Sequence, residues 1–89
     1  MKQYIVIIDN VAAEQQEVII NKIKSFGAWA RISETVWYVR TNSSITNVGD
    51  AVYPVANDTC KVFVVEVTSA PWASYNLSKE VTDWLKNEP

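Results

Sequence analysis

The first unbroken apolar segment of the chain runs from Tyr4 to Ile8. It lacks the alternation of a half-exposed strand, so it predicts a strand over residues 2–8 that is buried on both faces. The segment ends abruptly at Asp9 and Asn10. A carboxylate and an amide at a strand end are typical of a helix N-terminus, of a functional site, or of both.

A helical pattern follows over residues 11–26. Its apolar positions recur at the spacing of an amphipathic helix and are Val11, Ala12, Ile19, Ile20, Ile23 and Phe26. We expect Asn10 to cap the N-terminus of this helix. We expect Gly27 to end it, because glycine readily adopts the left-handed conformation that follows many helices.

Residues 28–40 predict a β-hairpin that turns near Ser33 and Glu34. Alternation assigns Trp29 and Arg31 to one face of the first arm. On the second arm Trp37 and Val39 share one face, while Val36, Tyr38 and Arg40 share the other. One face of the hairpin should meet the helices, and the face with Tyr38 and Arg40 is too apolar to suit full exposure to water.

The second half of the chain predicts a helix over residues 44–53, a strand over residues 60–67 and a short last helix over residues 79–86. Ser43 or Ser44 is expected to cap the first of these helices and Ser78 the last. Further expectations are a helix limit at Pro54, a turn at Asn57–Asp58, and apolar helix positions at Ile45, Val48, Val52, Val81, Trp84 and Leu85.

Together these elements predict one α+β domain over residues 1–89, with a ferredoxin-like βαββαβ order and an added C-terminal helix. Right-handed crossovers place the first and third strands in the middle of an antiparallel sheet, with two helices on one face. The other face remains apolar. A second copy of the chain is the simplest cover for it, and the last helix is another.

The composition limits the kinds of binding site and catalytic site that the chain can form. The chain has 89 residues, 8 basic and 10 acidic side chains, and a net charge of −2, which argues against a dedicated non-specific nucleic-acid binder. No histidine is present, which excludes histidine-based triads and most zinc sites. Cys60, the single cysteine, predicts a small buried apolar residue. With no signal peptide and no membrane span expected, we predict a cytoplasmic protein.

Three stretches carry a resemblance to a known family. They are Ile7-Ile8-Asp9, the hairpin Ile32-Ser33-Glu34-Thr35-Val36-Trp37, and the run from Asp58 to Val62-Phe63-Val64-Val65. With the length and the element order, they make the chain similar to the CRISPR-associated protein two family, and more similar still to its SinR-like relatives. The resemblance implies a ferredoxin-like homodimer. It also implies that Asp9, at the end of the first strand, matches an acidic residue assigned to metal-dependent phosphodiester cleavage in some members.

Asp9 therefore has two interpretations. As a catalytic residue it would bind magnesium together with Asp9 of a second copy near the dimer axis, since magnesium prefers oxygen ligands and uses one or two carboxylates. As a structural residue it would favour the N-terminus of the first helix. The second interpretation is the one the residues favour, so no cofactor is expected, and magnesium is the alternative.

Two aromatic groups also have two interpretations each. Trp29, Arg31, Tyr38 and Arg40 would form a nucleic-acid surface on the sheet, or a dimer face whose arginines pair with Glu34 or Glu66. Trp72, Tyr75 and Trp84 would bind a protein partner, or would form a small core beneath the last helix. For both groups the structural interpretation, a dimer face for the first and a small core for the second, is favoured.

The function that we predict is a homodimeric ferredoxin-like interaction or scaffold protein, similar to the SinR-like relatives. Whether the chain is an enzyme stays open, and a non-enzyme is the favoured interpretation. The first alternative is a magnesium-dependent endonuclease that uses Asp9 from both subunits. The second is a regulatory module that binds a small ligand. A fold alone does not choose among these functions.

Overall fold

The computed structural model describes residues 1–53 and 60–87. Within these ranges the protein has an antiparallel sheet of four strands and three α-helices, an α+β architecture. In chain order the elements are β1 (Lys2–Asp9), a 3₁₀ turn (Ala13–Gln15), α1 (Gln16–Lys24), β2 (Ala28–Arg31), β3 (Val36–Thr41), α2 (Ile45–Val52), β4 (Lys61–Glu66) and α3 (Lys79–Asn87).

The strands lie in the order β2-β3-β1-β4, and all neighbours are antiparallel. Ile5 of β1 lies opposite Tyr38 of β3 on one side and opposite Val65 of β4 on the other. The first and third strands therefore form the middle of the sheet, as predicted. The arrangement is compatible with a small ferredoxin-like fold.

Successive side chains of β1 point to opposite faces of the sheet. The first face carries Tyr4, Val6 and Ile8, which pack with Trp37 and Val39 of β3 in one buried cluster. Both α1 and α2 cover this face and contribute Ile19, Ile23, Val48 and Val52. The Tyr4 hydroxyl donates a hydrogen bond to the Ser43 carbonyl at 2.7 Å, which satisfies the polar end of a buried ring.

The second face carries Ile5 and Ile7, and α3 packs on part of it. Leu85 of α3 forms a second cluster with Ala30 and Tyr38, and the partly buried members are Ile5, Ile32, Val67, Leu77, Val81 and Trp84. The prediction that the last helix can cover this face is confirmed. The prediction that β1 is buried on both faces holds fully only for the first face, because Ile5 and Ile7 are half-buried.

The first helix begins later than predicted. A 3₁₀ turn occupies Ala13–Gln15, and α1 starts at Gln16. Asn10 does not cap either segment. Its φ is +61°, in the left-handed region that asparagine tolerates better than most residues, so it turns the chain away from β1 before any helix forms.

Gly27 follows the end of α1 and leads into β2. Its φ is +144°, and a Cβ at this position would lie 2.7 Å from the carbonyl oxygen of Arg40. The backbone of β3 therefore approaches so closely that a side chain has no room. Glycine is required here both by the φ angle and by the approach of Arg40.

Both predicted serine caps are confirmed. The Ser44 hydroxyl accepts from the Asn47 amide at 3.2 Å at the start of α2, and the Ser78 hydroxyl accepts from the Val81 amide at 3.2 Å at the start of α3. Each bond satisfies an amide that would have no partner inside the helix. The predicted features at Pro54 and Asn57–Asp58 lie outside the described residues.

Candidate functional site

A cleft opens where β1 ends. Because β1 and β2 are both antiparallel to β3, they run in the same direction, and the turn after β2 lies at the same edge of the sheet as Asp9. The Ile8 amide donates to the Thr35 carbonyl at 2.9 Å and fixes that turn against the end of β1. The left-handed Asn10 then turns the chain toward the 3₁₀ turn and α1.

The cleft has a volume of about 310 Å³, which is at the lower end of the range for small-molecule sites. Its polar border comes from β1, α1 and the β2–β3 turn, and consists of Asp9, Asn10, Gln16, Arg31, Glu34 and Thr35. Its apolar border consists of Ile8, Val11, Ile19 and Ile20. Charged groups of both signs thus surround an aliphatic surface.

Arg31 is held at this cleft by two contacts. Its Nη2 donates to the backbone carbonyl of Glu34 at 3.0 Å, and its guanidinium carbon lies 4.8 Å from the centre of the Trp37 ring. Stacking on an aromatic ring and a hydrogen bond together restrict the guanidinium while leaving other N–H donors available. This hydrogen bond uses the main chain of Glu34, so the predicted pairing of an arginine with the Glu34 or Glu66 side chain in a dimer face stays a prediction.

Asp9 borders the cleft and is exposed. It lies directly opposite Lys61 of β4 and beside Cys60. Burial raises the pKa of the Cys60 thiol; a hydrogen bond from the Asp9 backbone lowers it, and the negative charge of Asp9 raises it. Glu34 carries a second carboxylate and borders the same cleft, although it lies far from Asp9 in the sequence.

The metal interpretation of Asp9 requires further oxygen ligands. Among residues 1–53 and 60–87, no three carboxylate, cysteine or histidine side chains group together as metal ligands would. The two-subunit magnesium site built from Asp9 and its copy stays a prediction.

The four residues expected on one surface of the sheet are divided between its faces. Trp29 lies opposite Val39, and Arg31 lies opposite Trp37, so both belong to the first face. Tyr38 and Arg40 lie opposite Ala30 and Ala28, so both belong to the second. The four therefore cannot form one continuous surface on a single face of the sheet.

Each half of this group has its own surroundings. The Trp29 ring is 37% exposed, has Lys24 Nζ 4.7 Å from its centre and contacts the Trp37 ring at 5.6 Å. Tyr38 is only 6% exposed, and burial raises the pKa of its hydroxyl. A buried Tyr38 is not accessible for stacking on a nucleic-acid base.

The three aromatic residues of the C-terminal region also separate. Trp84 contacts Tyr38 edge-on at 5.9 Å and belongs to the cluster beneath α3. Trp72 is 42% exposed beside Leu85, and Tyr75 is 88% exposed. Trp84 thus has the surroundings of the small-core interpretation, whereas Tyr75 is displayed to solvent.

A polar network around Gln3 was not predicted from the sequence. This buried side chain accepts from the Tyr38 hydroxyl at 3.1 Å and from the Ser69 amide at 3.0 Å. The Gln3 backbone amide donates to the Thr68 hydroxyl at 2.9 Å. A polar residue just before an apolar run was the only available signal, and the network explains how the loop after β4 is fixed to β1.

Comparisons with known proteins add no relative. No protein-family model, no curated protein and no solved structure matches this chain. In the described part of the chain, no helix is both long and apolar enough to cross a membrane.

Proposed function

We propose that this protein is a small ferredoxin-like interaction or scaffold protein that acts as a homodimer. The strand order β2-β3-β1-β4, with every pair antiparallel, supports the ferredoxin-like part of this proposal. So does the position of α1 and α2 on one face. The role itself is the one implied by the resemblance to the SinR-like relatives.

One observation carries the dimer. Beside α3, the second face exposes a run of apolar side chains that we call the open strip, formed by Ile7, Val36, Phe63 and Val65. Phe63 is 61% exposed and Val65 is 37% exposed. Phe63 lies opposite Ile7, and Ile7 lies opposite Val36, so the strip is continuous across three strands. Continuous exposed apolar surface of this kind marks interaction sites.

The position of β4 favours a second copy as the occupant. β4 is the last strand of the sheet, and no described strand pairs with its outer side. Two copies of β4 can pair antiparallel about a two-fold axis, in a register that keeps Phe63 and Val65 on the same face in both chains. The open strip of one subunit would then continue into that of its partner.

The test is the mass in solution. We expect wild-type protein to elute with about twice the 10.1 kDa mass of one chain, measured by light scattering after sizing chromatography. Phe63→Lys should shift the protein to the monomer mass, because a charge in the strip would be buried without a partner. Tyr75→Lys, at an exposed aromatic residue outside the strip, is the matched control and should remain dimeric. A monomeric wild type would contradict the proposal.

The magnesium-dependent endonuclease remains the alternative. Glu34 borders the same cleft as Asp9, although strand alternation directs the Asp9 side chain to the second face. We would compare wild type, Asp9→Ala and Asp50→Ala on DNA and RNA, with magnesium and then with EDTA. This alternative requires cleavage that Asp9→Ala lowers at least about tenfold and that Asp50→Ala, at an exposed aspartate on α2, retains. Equal cleavage by all three proteins would remove Asp9 from the mechanism.

A further inference from the structure

The cleft at the end of β1 joins two opposite charges and an aliphatic surface. Arg31 supplies a guanidinium and Glu34 a carboxylate. A ligand with a single charge would meet a group of its own sign in this cleft, which costs binding energy. A ligand that carries both charges on neighbouring atoms would meet a complementary group for each.

The positive side of the cleft is preorganised. The Trp37 ring and the Glu34 carbonyl hold Arg31, so its guanidinium has little freedom left to lose on binding. A restrained planar guanidinium is suited to a carboxylate, which it binds through two parallel N–H···O bonds. The positive side therefore favours a ligand carboxylate over a single-atom anion.

The negative side is suited to an ammonium group. Glu34 lies in the β2–β3 turn and borders the same space as Arg31. Asp9 also borders this space, but strand alternation directs its side chain to the second face, opposite Lys61. Gln16 and Thr35 also border this space, and their side-chain oxygens are of a kind that accepts hydrogen bonds. Three N–H donors on an ammonium group match several acceptors of this kind.

The apolar side is aliphatic. Ile8 and Ile19 are almost completely buried in the main core, so they support this side of the cleft from beneath but offer a ligand little surface. Ile20 and Val11 are half-buried beside them. A branched aliphatic group on the ligand would gain contact here without disturbing the core.

From these features we propose that the cleft binds a free α-amino acid with a branched aliphatic side chain. Its carboxylate bonds to Arg31, its ammonium bonds to Glu34, and its side chain packs on Val11 and Ile20. This site does not depend on the dimer. It lies among first-face residues next to α1, whereas the open strip lies on the second face.

The probe is L-leucine, added to full-length ¹⁵N-labelled protein to about 10 mM, a range that detects weak millimolar binding. We expect saturable shifts of the amide signals of residues 9–11, 16 and 31–35, and dissociation in the micromolar to millimolar range. 4-Methyl-2-oxopentanoate lacks the ammonium, isopentylamine lacks the carboxylate and glycine lacks the side chain. Each should bind at least about tenfold more weakly than L-leucine.

Variants test the two charged sides separately. Glu34→Gln removes the carboxylate but keeps the backbone carbonyl that accepts from Arg31, and it should weaken L-leucine at least about tenfold. Arg31→Lys keeps the charge and loses the planar fork, and it should weaken L-leucine but not isopentylamine. Lys22→Gln and Glu80→Gln change exposed charges outside the cleft, and both should bind L-leucine as wild type does.

Three results would overturn the proposal. The first is no shift with L-leucine, L-isoleucine or L-valine at 10 mM, about the limit of weak binding. The second is unchanged L-leucine binding in Glu34→Gln protein that remains folded by its amide spectrum. The third is that magnesium alone shifts the same amide signals and that added L-leucine does not reverse those shifts. That result would make the cleft a cation site. None of these results alters the solution mass that tests the dimer.

Discussion

The two faces of the sheet are covered to different extents. On the first face, α1 and α2 bury Tyr4 and Val6 completely. On the second, α3 buries Tyr38 but leaves Phe63 61% exposed. A helix is about 10 Å wide and adjacent strands are about 4.8 Å apart, so one helix covers about two strands. Two helices close a face of four strands, and one helix leaves half of it for another occupant.

This contrast predicts that a Val→Ala truncation lowers the free energy of unfolding more on the first face than on the second. Val6→Ala should lower the free energy of unfolding by about 2 to 3 kcal/mol, since it removes two buried methyl groups and leaves a cavity. Val65→Ala, at a 37% exposed position of the neighbouring strand, should cost less than about 1 kcal/mol in the monomer. Urea unfolding at low protein concentration measures both. Equal costs would show that the second face is closed as well as the first.

The next largest effect should come from weakening the partial cover. Leu85→Ala should lower the free energy of unfolding by about 2 kcal/mol, because Leu85 is the buried contact between α3 and the second face. It should also increase the fluorescence of a hydrophobic dye, since detached α3 uncovers Ala30 and Tyr38. Lys86→Ala, one residue further and exposed, is the control. A stable Leu85→Ala protein without added dye binding would remove α3 from the cover.

A smaller effect concerns pH, with one tyrosine on each face. Burial raises the pKa of Tyr4, and the charge of Glu66 raises it further; burial alone raises the pKa of Tyr38. When the folded-state pKa lies above the unfolded value of about 10, the stabilisation is fully present below the unfolded value. It is lost as the pH rises through the folded-state pKa.

Thermal unfolding from pH 8 to 11 should therefore show a fall in Tm above about pH 10. Tyr4→Phe and Tyr38→Phe should each make that fall shallower, although each loses a hydrogen bond, to the Ser43 carbonyl or to Gln3. Tyr75→Phe, at an exposed ring, should leave the slope unchanged. An identical slope in all three variants would assign the loss to other groups.

Much of the fold followed from local patterns. The apolar run of β1, the hairpin and the serine caps of α2 and α3 were predicted correctly because each depends on neighbours in sequence. The start of α1 was not. Asn10 is a residue type that often caps helices, but here its left-handed φ turns the chain at the end of β1 before any helix begins.

The candidate site was predicted only in part. Asp9 attracts attention because a carboxylate ends a buried strand. Its neighbours at the cleft, Arg31 and Glu34, lie more than twenty residues away, and they come close because β1 and β2 run in the same direction with β3 between them. That topology was itself predicted, so the convergence at one edge of the sheet was an inference within reach of the sequence.

The sequence by itself determined the elements and the two sides of each strand, because side-chain periodicity and end caps are local properties. The tertiary structure alone decided which sides met which helices. It placed Trp29 and Arg31 under one face and Tyr38 and Arg40 under the other, and it set α3 over Tyr38 instead of Phe63. These placements depend on the order of the strands in the sheet and on the width of a single helix. Neither property can be read from a local stretch of sequence.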